Sequence, residues 1–291
     1  MSFPWTWLPA VPLKCSLMIA AALLAAPAVG ADAPAAGAAA TATSTGTSPA
    51  TTESQREAAA ILKSMAEYMA GLQSFTCTFR AGYDVVQSSG QKIEFGETRR
   101  ITMARPNRLR VEEVASDGVR DLALFDGRNM TAMNAVAKVF AQAPQPGSVD
   151  DALVYFVRDL KMRMPLALLL TTRLPKELPE RVKAIDYVES DDIYGVPTDH
   201  IAGRGENVDF QFWITEGVHP LPLRVVITYT HSPGQPQYWA NFSDWNISPK
   251  LADTTFEFKP PPGARKIAFA VQVPRPNDTR PPAAANGEIQ P

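Results

Sequence analysis

The sequence is poor in the residues that staple a fold or carry most catalysis. Its 291 residues hold two cysteines, Cys15 and Cys77, and three histidines, His200, His219 and His231. So few cysteines exclude a disulfide-stapled scaffold and a cysteine-based zinc cluster. The histidines form no HExxH or other close pair, which argues against a zinc hydrolase. There is no G-x-S-x-G elbow and no P-loop. Gly203-Arg204-Gly205 lacks the third glycine of a dinucleotide fingerprint. An excess of one charge is also missing: 28 Lys+Arg stand against 30 Asp+Glu, a formal net charge of −2. That balance argues against a dedicated nucleic-acid binder, which carries a basic excess. No apolar run reaches the roughly 20 residues of a spanning helix. Asp191-Asp192 reads as a pair of solvated turn carboxylates. His200 reads as a structural histidine on a strand, free to face inward. The expectation is a chain without catalytic residues, metal or cofactor.

The two ends are distinctive. Lys14 precedes an apolar run from Cys15 to Ala26, and the small residues Pro27, Ala28, Val29, Gly30 and Ala31 follow. A positive flank, a short apolar core and small residues define a secretory signal peptide over 1–31, cleaved after Ala28, Gly30 or Ala31. It leads to the periplasm, with no stable membrane insertion after cleavage. Residues 32–52 are Ala, Thr, Ser, Gly and Pro almost throughout, a composition that buries too little to offset its ordering entropy. The tail 271–291 is Pro-rich and reads the same way. A single domain is left over 53–270. Cys77 alternates with Phe75, Phe79 and Ala81, so its thiol is expected in the core and inert.

Within that domain, Ile61, Leu62, Met65, Tyr68, Met69 and Leu72 recur at helical spacing, which predicts a helix over 53–73 with Ser54 as cap and Glu57 completing a capping box. The period then changes to two. Strands are expected at 74–85, 92–104, 108–115, 119–125, 129–133 and 136–141, punctuated by Ser89-Gly90, Arg105-Pro106-Asn107, Asp117-Gly118 and Asp126-Gly127. Residues 150–170 read as helical and unusually apolar, broken near Pro165. Strands resume at 182–190, with Asp191-Asp192 in the following turn, then at 197–203, around 210–214, at 223–230 and at 238–246. An antiparallel sheet of about eleven strands curls instead of staying flat. With helices on one side it makes an α+β half-barrel.

Four stretches in this order resemble the LolA-like proteins. They are Arg105-Pro106-Asn107-Arg108-Leu109-Arg110-Val111-Glu112, Phe125-Asp126-Gly127-Arg128, Phe212-Trp213-Ile214 with Pro220-Leu221-Pro222-Leu223-Arg224, and Phe256-Glu257-Phe258 with Pro260-Pro261-Pro262-Gly263-Ala264. Over about 55–268 the chain is most similar to the periplasmic domain-of-unknown-function family 2092. The resemblance implies a curved antiparallel sheet whose concave face is covered by helices. In the lipoprotein carriers of that fold, the cavity between the two receives acyl chains.

The aromatic set Phe210, Phe212, Trp213, Tyr238, Trp239, Phe242 and Trp245 reads either as core packing or as the lining of such a cavity. Met162, Met164, Leu166, Leu169 and Leu170 read either as core or as a movable lid. The expected cavity wall comprises Phe79, Tyr83 and Leu124 from the first strands, with Phe210, Phe212, Ile227 and Phe242 from the last. The expected lid contributes Phe156, Leu160, Met164, Leu166, Leu169 and Leu170. Arg99, Arg100 and Arg108 are placed on the solvent face, although the resemblance allows one of them to hold the lid shut. The expected partner is a lipid or lipoprotein acyl chain. The alternative is an RseB-type envelope module with a packed cavity that binds a protein partner along an edge strand or through surface aromatics. No nucleic acid is expected.

Overall fold

The computed structural model describes residues 51–272. The expected signal peptide, most of the linker and most of the tail lie outside the described residues. The first element is helix α1, Glu53–Gly71. Its cap is Thr52, not Ser54. The Thr52 hydroxyl accepts from Gln55 N at 3.2 Å and Gln55 Oε1 accepts from Thr52 N at 3.0 Å. Ser54 already lies inside the helix and has another task. Its hydroxyl accepts from Tyr187 N (3.0 Å) and donates to Tyr187 O (3.2 Å) on an edge strand, next to an irregularity in that strand's register.

A meander follows: β1 (Ser74–Val86), β2 (Lys92–Ala104), β3 (Arg108–Ala115), β4 (Arg120–Phe125), β5 (Asn129–Asn134) and β6 (Val139–Pro144). The last strand begins later than its apolar residues suggest. Asn134 Oδ1 accepts from Ala137 N at 2.7 Å and closes a turn through Lys138, leaving Val136 64% exposed. An Asx turn here outcompetes the weak strand signal of Ala135-Val136-Ala137.

The crossing segment comes next: α2 (Val149–Val154), a π turn (Tyr155–Asp159), a 3-10 turn (Ala167–Leu170) and the short α3 (Leu174–Glu177). Ser148 caps α2, its hydroxyl accepting from Asp151 N at 3.2 Å. The second meander is β7 (Ala184–Ile193), β8 (Val196–Arg204), β9 (Val208–Thr215), β10 (Pro222–Tyr229) and β11 (Gln237–Asn246). Asp191 and Asp192 belong to β7, and the turn falls at Tyr194-Gly195. Asp192 accepts from Gly195 N at 2.6 Å, while Asp191 accepts from Trp213 Nε1 at 2.8 Å.

With a short last strand, β12 (Arg265–Ile267), the described strands form one open sheet, ordered β12-β6-β5-β4-β3-β2-β1-β11-β10-β9-β8-β7. β11 returns to pair with β1, so the two meanders join at the middle. All pairs are antiparallel except the twelfth strand, β12, which adds parallel to β6. It is one more than the eleven expected. Three exposed residues after a proline run carry no alternation from which to read a strand.

This order sets the traffic across both faces. β6 lies beside one edge and β7 is the other edge, so the segment between them must cross the sheet. It does so over the concave face, together with α1, which packs on β7 and β8. Phe75, Cys77, Phe79 and Ala81 of β1 are buried on that face in one core with Met65 and Met69 of α1 and Leu153, Phe156, Leu169 and Leu170 of the crossing segment. The chain after β11 runs behind the first meander to reach the edge at β6. Its 3-10 turn Asp253–Phe256 packs on β3, and Phe258 meets the Phe140 ring at 5.0 Å. The fold is therefore an α+β half-barrel with one cover over the concave face and another behind the first meander.

Candidate functional site

Between the concave face and the crossing segment lies an apolar cavity. Its floor is Cys77 and Phe79 of β1, Arg99 and Ile101 of β2, Val111 of β3, and Phe242 and Trp245 of β11. Its roof is Met164, Pro165, Leu166, Leu169 and Leu170, and Met69 of α1 closes the side. The floor places these side chains together because period-two alternation and register agree. Phe79 sits opposite Arg99 on one flank and Phe242 on the other, and Cys77 sits opposite Ile101. The Phe79 and Phe242 rings lie 5.1 Å apart, and Phe242 stacks on Trp245 at 5.8 Å. The free space is that of about one water molecule. The roof side chains fill the site.

Six expected residues meet at this cavity: Phe79, Met164, Leu166, Leu169, Leu170 and Phe242. Phe156, Leu160, Phe210, Phe212 and Ile227 are buried in the same core but away from the cavity wall. The last three lie under the second meander, while the cavity sits over β3, β2, β1 and β11. Tyr83 lies further along β1, under the Arg163 guanidinium at 4.5 Å and beside Phe95. Leu124 faces the other way. Its neighbours Ala123 and Phe125 point to the main core, and Leu124 is buried outside it. The apolar alternation Leu122, Leu124 reads as an inward face, but here the convex face is covered too.

The roof is irregular for visible reasons. Pro165 removes a donor, and the π turn ends at Leu160. Lys161 and Leu166 then adopt the left-handed region at φ 56° and 59°, which costs an L side chain roughly 1–2 kcal/mol each. In this conformation Leu166 lines the cavity. A polar clasp holds the far end of the roof. Arg105 Nε donates to Leu72 O at 3.0 Å and Nη2 to Leu170 O at 3.1 Å, with Asp150 at 3.7 Å. Asp150 also accepts from Thr172 N at 3.1 Å and Thr172 Oγ1 at 2.6 Å. One arginine thus ties the end of α1, the roof and α2 to the end of β2. Of the arginines weighed from sequence, Arg100 is exposed and Arg108 donates to Asp126 O. Arg99 is buried, contrary to expectation, and does not touch the roof's backbone. Ile101 and Met103 face the core, so Arg99 and Glu97 at the same parity must as well.

Burial here has a charge consequence. Arg99 Nη2 contacts Glu97 Oε1 at 3.1 Å and Glu113 Oε2 at 2.8 Å. Burial pushes the Glu113 carboxyl up to about 7, against the pull of Arg99 and with help from Glu97 and Asp121. Burial also raises the Cys77 thiol far above its ordinary value, consistent with an unreactive core thiol. On the convex face, His200 stacks on Trp213 at 4.0 Å and its Nε2 meets Gln211 Oε1 at 3.0 Å. His200 therefore points away from the cavity. Among the described residues, no group of three or more His, Cys, Asp and Glu side chains is placed to hold a metal ion.

Fold and site define a half-barrel with an apolar cavity under the crossing segment. Residues 58–270 match the family described as "Predicted periplasmic protein (DUF2092)", and the chain belongs to that family. The periplasmic location read from the leader agrees with it, and no described helix is long and apolar enough to cross a membrane. No curated protein matches the chain. Among solved structures, an uncharacterised conserved protein from Thermus thermophilus is 10% identical, with 73% of this chain and 99% of that chain covered and a TM-score of 0.43. Lipoprotein LppX from Mycobacterium tuberculosis is 15% identical over 68% of this chain and 100% of that chain, at a TM-score of 0.42. A LolA superfamily protein from Nitrosomonas europaea is 11% identical over 69% of this chain and 97% of that chain, at a TM-score of 0.33. None of these similarities bears on ligand or partner.

Arg105→Met should leave the Leu72 and Leu170 carbonyls without their donor. Amide exchange across 164–172 is expected to speed up by about tenfold or more, while β1 and β11 keep their protection. Equal acceleration everywhere would mean that Arg105 serves global stability and not the roof. Glu113 gives a pH test. Its folded carboxyl is raised above the ordinary Glu value, so its contribution is full in acid and is lost as pH rises toward about 7. Urea midpoints should therefore fall for the wild type relative to Glu113→Gln between pH 5 and pH 8. Parallel profiles would contradict the assignment.

Proposed function

We propose that this chain is a non-enzymatic periplasmic binding protein that takes the acyl chain of a lipid or lipoprotein between its concave sheet and its roof. The observation that carries the reading is the roof itself. An almost wholly apolar wall is covered by a segment with a π turn, two left-handed residues and a proline, and by few regular hydrogen bonds. Such a cover opens more cheaply than a continuous helix. The magnitudes allow it. Burying a methylene is worth about 0.8 kcal/mol, so a run of ten offers on the order of 8 kcal/mol. That exceeds the few kcal/mol of a clasp built from two carbonyl bonds and one long, largely buried ion pair at 3.7 Å. The roof leucines would stay covered, exchanging floor contacts for chain contacts. The mechanism is desolvation, gated by roof opening.

The filled cavity, with space for about one water, favours a second reading. In it the core stays packed, and an edge strand or surface aromatics engage an envelope protein by β-augmentation. β7 is one such edge, and Val188 on it is exposed.

Leu169→Asp separates the two. In a carrier it should reduce uptake of a fluorescent acyl probe by at least about tenfold, with the charge destroying the apolar roof. In a packed module the wild type takes up no probe, and the substitution only lowers the melting temperature. Wild-type uptake that survives Leu169→Asp in a folded protein would place the chain elsewhere and overturn the site.

A further inference from the structure

The cavity wall is apolar except at one point. Arg99 is 3% exposed and its partner Glu97 is 7% exposed, so both side chains are taken from water. The Arg99 Nη2 group serves Glu97 and Glu113. Its Nε is buried and has no hydrogen-bond partner. Arg99 nevertheless lines the cavity. Its place in the wall is terminal: Phe79 and Arg99 form one rung of the β1–β2 ladder, and the next rung outward, Ala81 with Glu97, does not reach the cavity. The residue that ends the apolar slot therefore carries one unmet N–H.

The charge around it selects what can meet it. Glu97, Glu113 and Asp121 face this arginine from β2, β3 and β4, and the Tyr238 hydroxyl of β11 reaches Glu97 at 3.5 Å. Asn134 of β5 holds Asp121 at 2.8 Å. From the roof, Arg163 sits over Tyr83, further along β1. The positive charge of Arg99 is already spent on two carboxyl groups. A ligand carboxylate or phosphate would bring another buried negative charge with no buried cation left to meet it, since Arg163 is exposed. A plain hydrocarbon would leave the N–H unmet. A neutral carbonyl oxygen satisfies the donor and adds no charge.

We propose that the cavity takes a chain ending in a neutral carbonyl, an acyl ester or acyl amide, with Arg99 Nε donating to that oxygen and the chain lying away from it over Cys77 and Ile101. This rests on the acyl-binding reading above and adds the chemistry of the ligand's head. Free fatty acids and unfunctionalised hydrocarbon are the poorer ligands.

The test uses the full chain and four probes of equal chain length: 1-monopalmitoylglycerol, N-methylpalmitamide, palmitate at pH 8, and hexadecane. Trp245 in the wall supplies a fluorescence signal. The wild type is expected to bind the ester, the amide or both at least about tenfold more tightly than palmitate and hexadecane, in keeping with one buried hydrogen bond to a charged donor. The two neutral probes tell an O-acyl from an N-acyl source. Arg99→Lys keeps the charge for Glu97 and Glu113 but has no Nε–H. It should lose that preference and bind hexadecane as the wild type does. Palmitate binding as tightly as the ester and amide would overturn the proposal, and so would an unchanged preference in folded Arg99→Lys. If that variant does not fold, the wild-type order of affinities decides alone. If hexadecane binds but shows no disadvantage, the head assignment fails and the acyl reading stands. If none of the four binds, the acyl reading fails and takes the proposal with it.

Discussion

An open sheet with an apolar concave face has to be covered, and strand order dictates what does the covering. β6 and β7 lie at opposite ends of the sheet, so the chain between them must cross the whole concave side. That crossing is too long for the short helices it contains. It is bridged by a π turn, left-handed residues and a 3-10 turn, which seat apolar side chains over the floor without a continuous hydrogen-bond ladder. The cavity, its roof and the clasp at Arg105 all follow from this one topological requirement.

The same logic explains the back of the molecule. The chain leaves β11 at the middle of the sheet and ends beside β6, so it passes behind the first meander. Phe256 and Leu124 are buried there, outside the main core. The first meander thus has two covered faces. Behind the second meander, in contrast, Trp213, Arg224 and Trp239 form a half-exposed ladder, with Arg224 over both rings at 5.4 and 5.9 Å. Local alternation tells inside from outside only where one face is wet.

That limit separates what is legible in the sequence from what is not. The β1 alternation Phe75, Cys77, Phe79 names its buried face correctly, since Thr76, Thr78 and Arg80 mark the other side. Leu124 is misplaced by the same reasoning because its strand is apolar on both faces. Residue type alone sends Arg99 to solvent, although its parity with Ile101 and Met103 puts it inside. Arg105 reads as part of a strand break and instead fastens the roof, because its partners are carbonyls that no side-chain pattern reveals. The roof leucines and methionine are legible because their density exceeds what a surface helix carries. Phe210, Phe212 and Ile227 are buried as expected but lie away from the cavity, since only strand order shows which strands the roof passes over.

Carriage of an acyl chain requires the roof to open. Its most direct test is native mass spectrometry of the protein purified from a bacterial periplasm without detergent, with lipid extraction of the same sample. The account predicts a stoichiometric mass increment that the extract identifies as an acyl lipid. A clean ligand-free mass, with no lipid taken up on later titration, would contradict it.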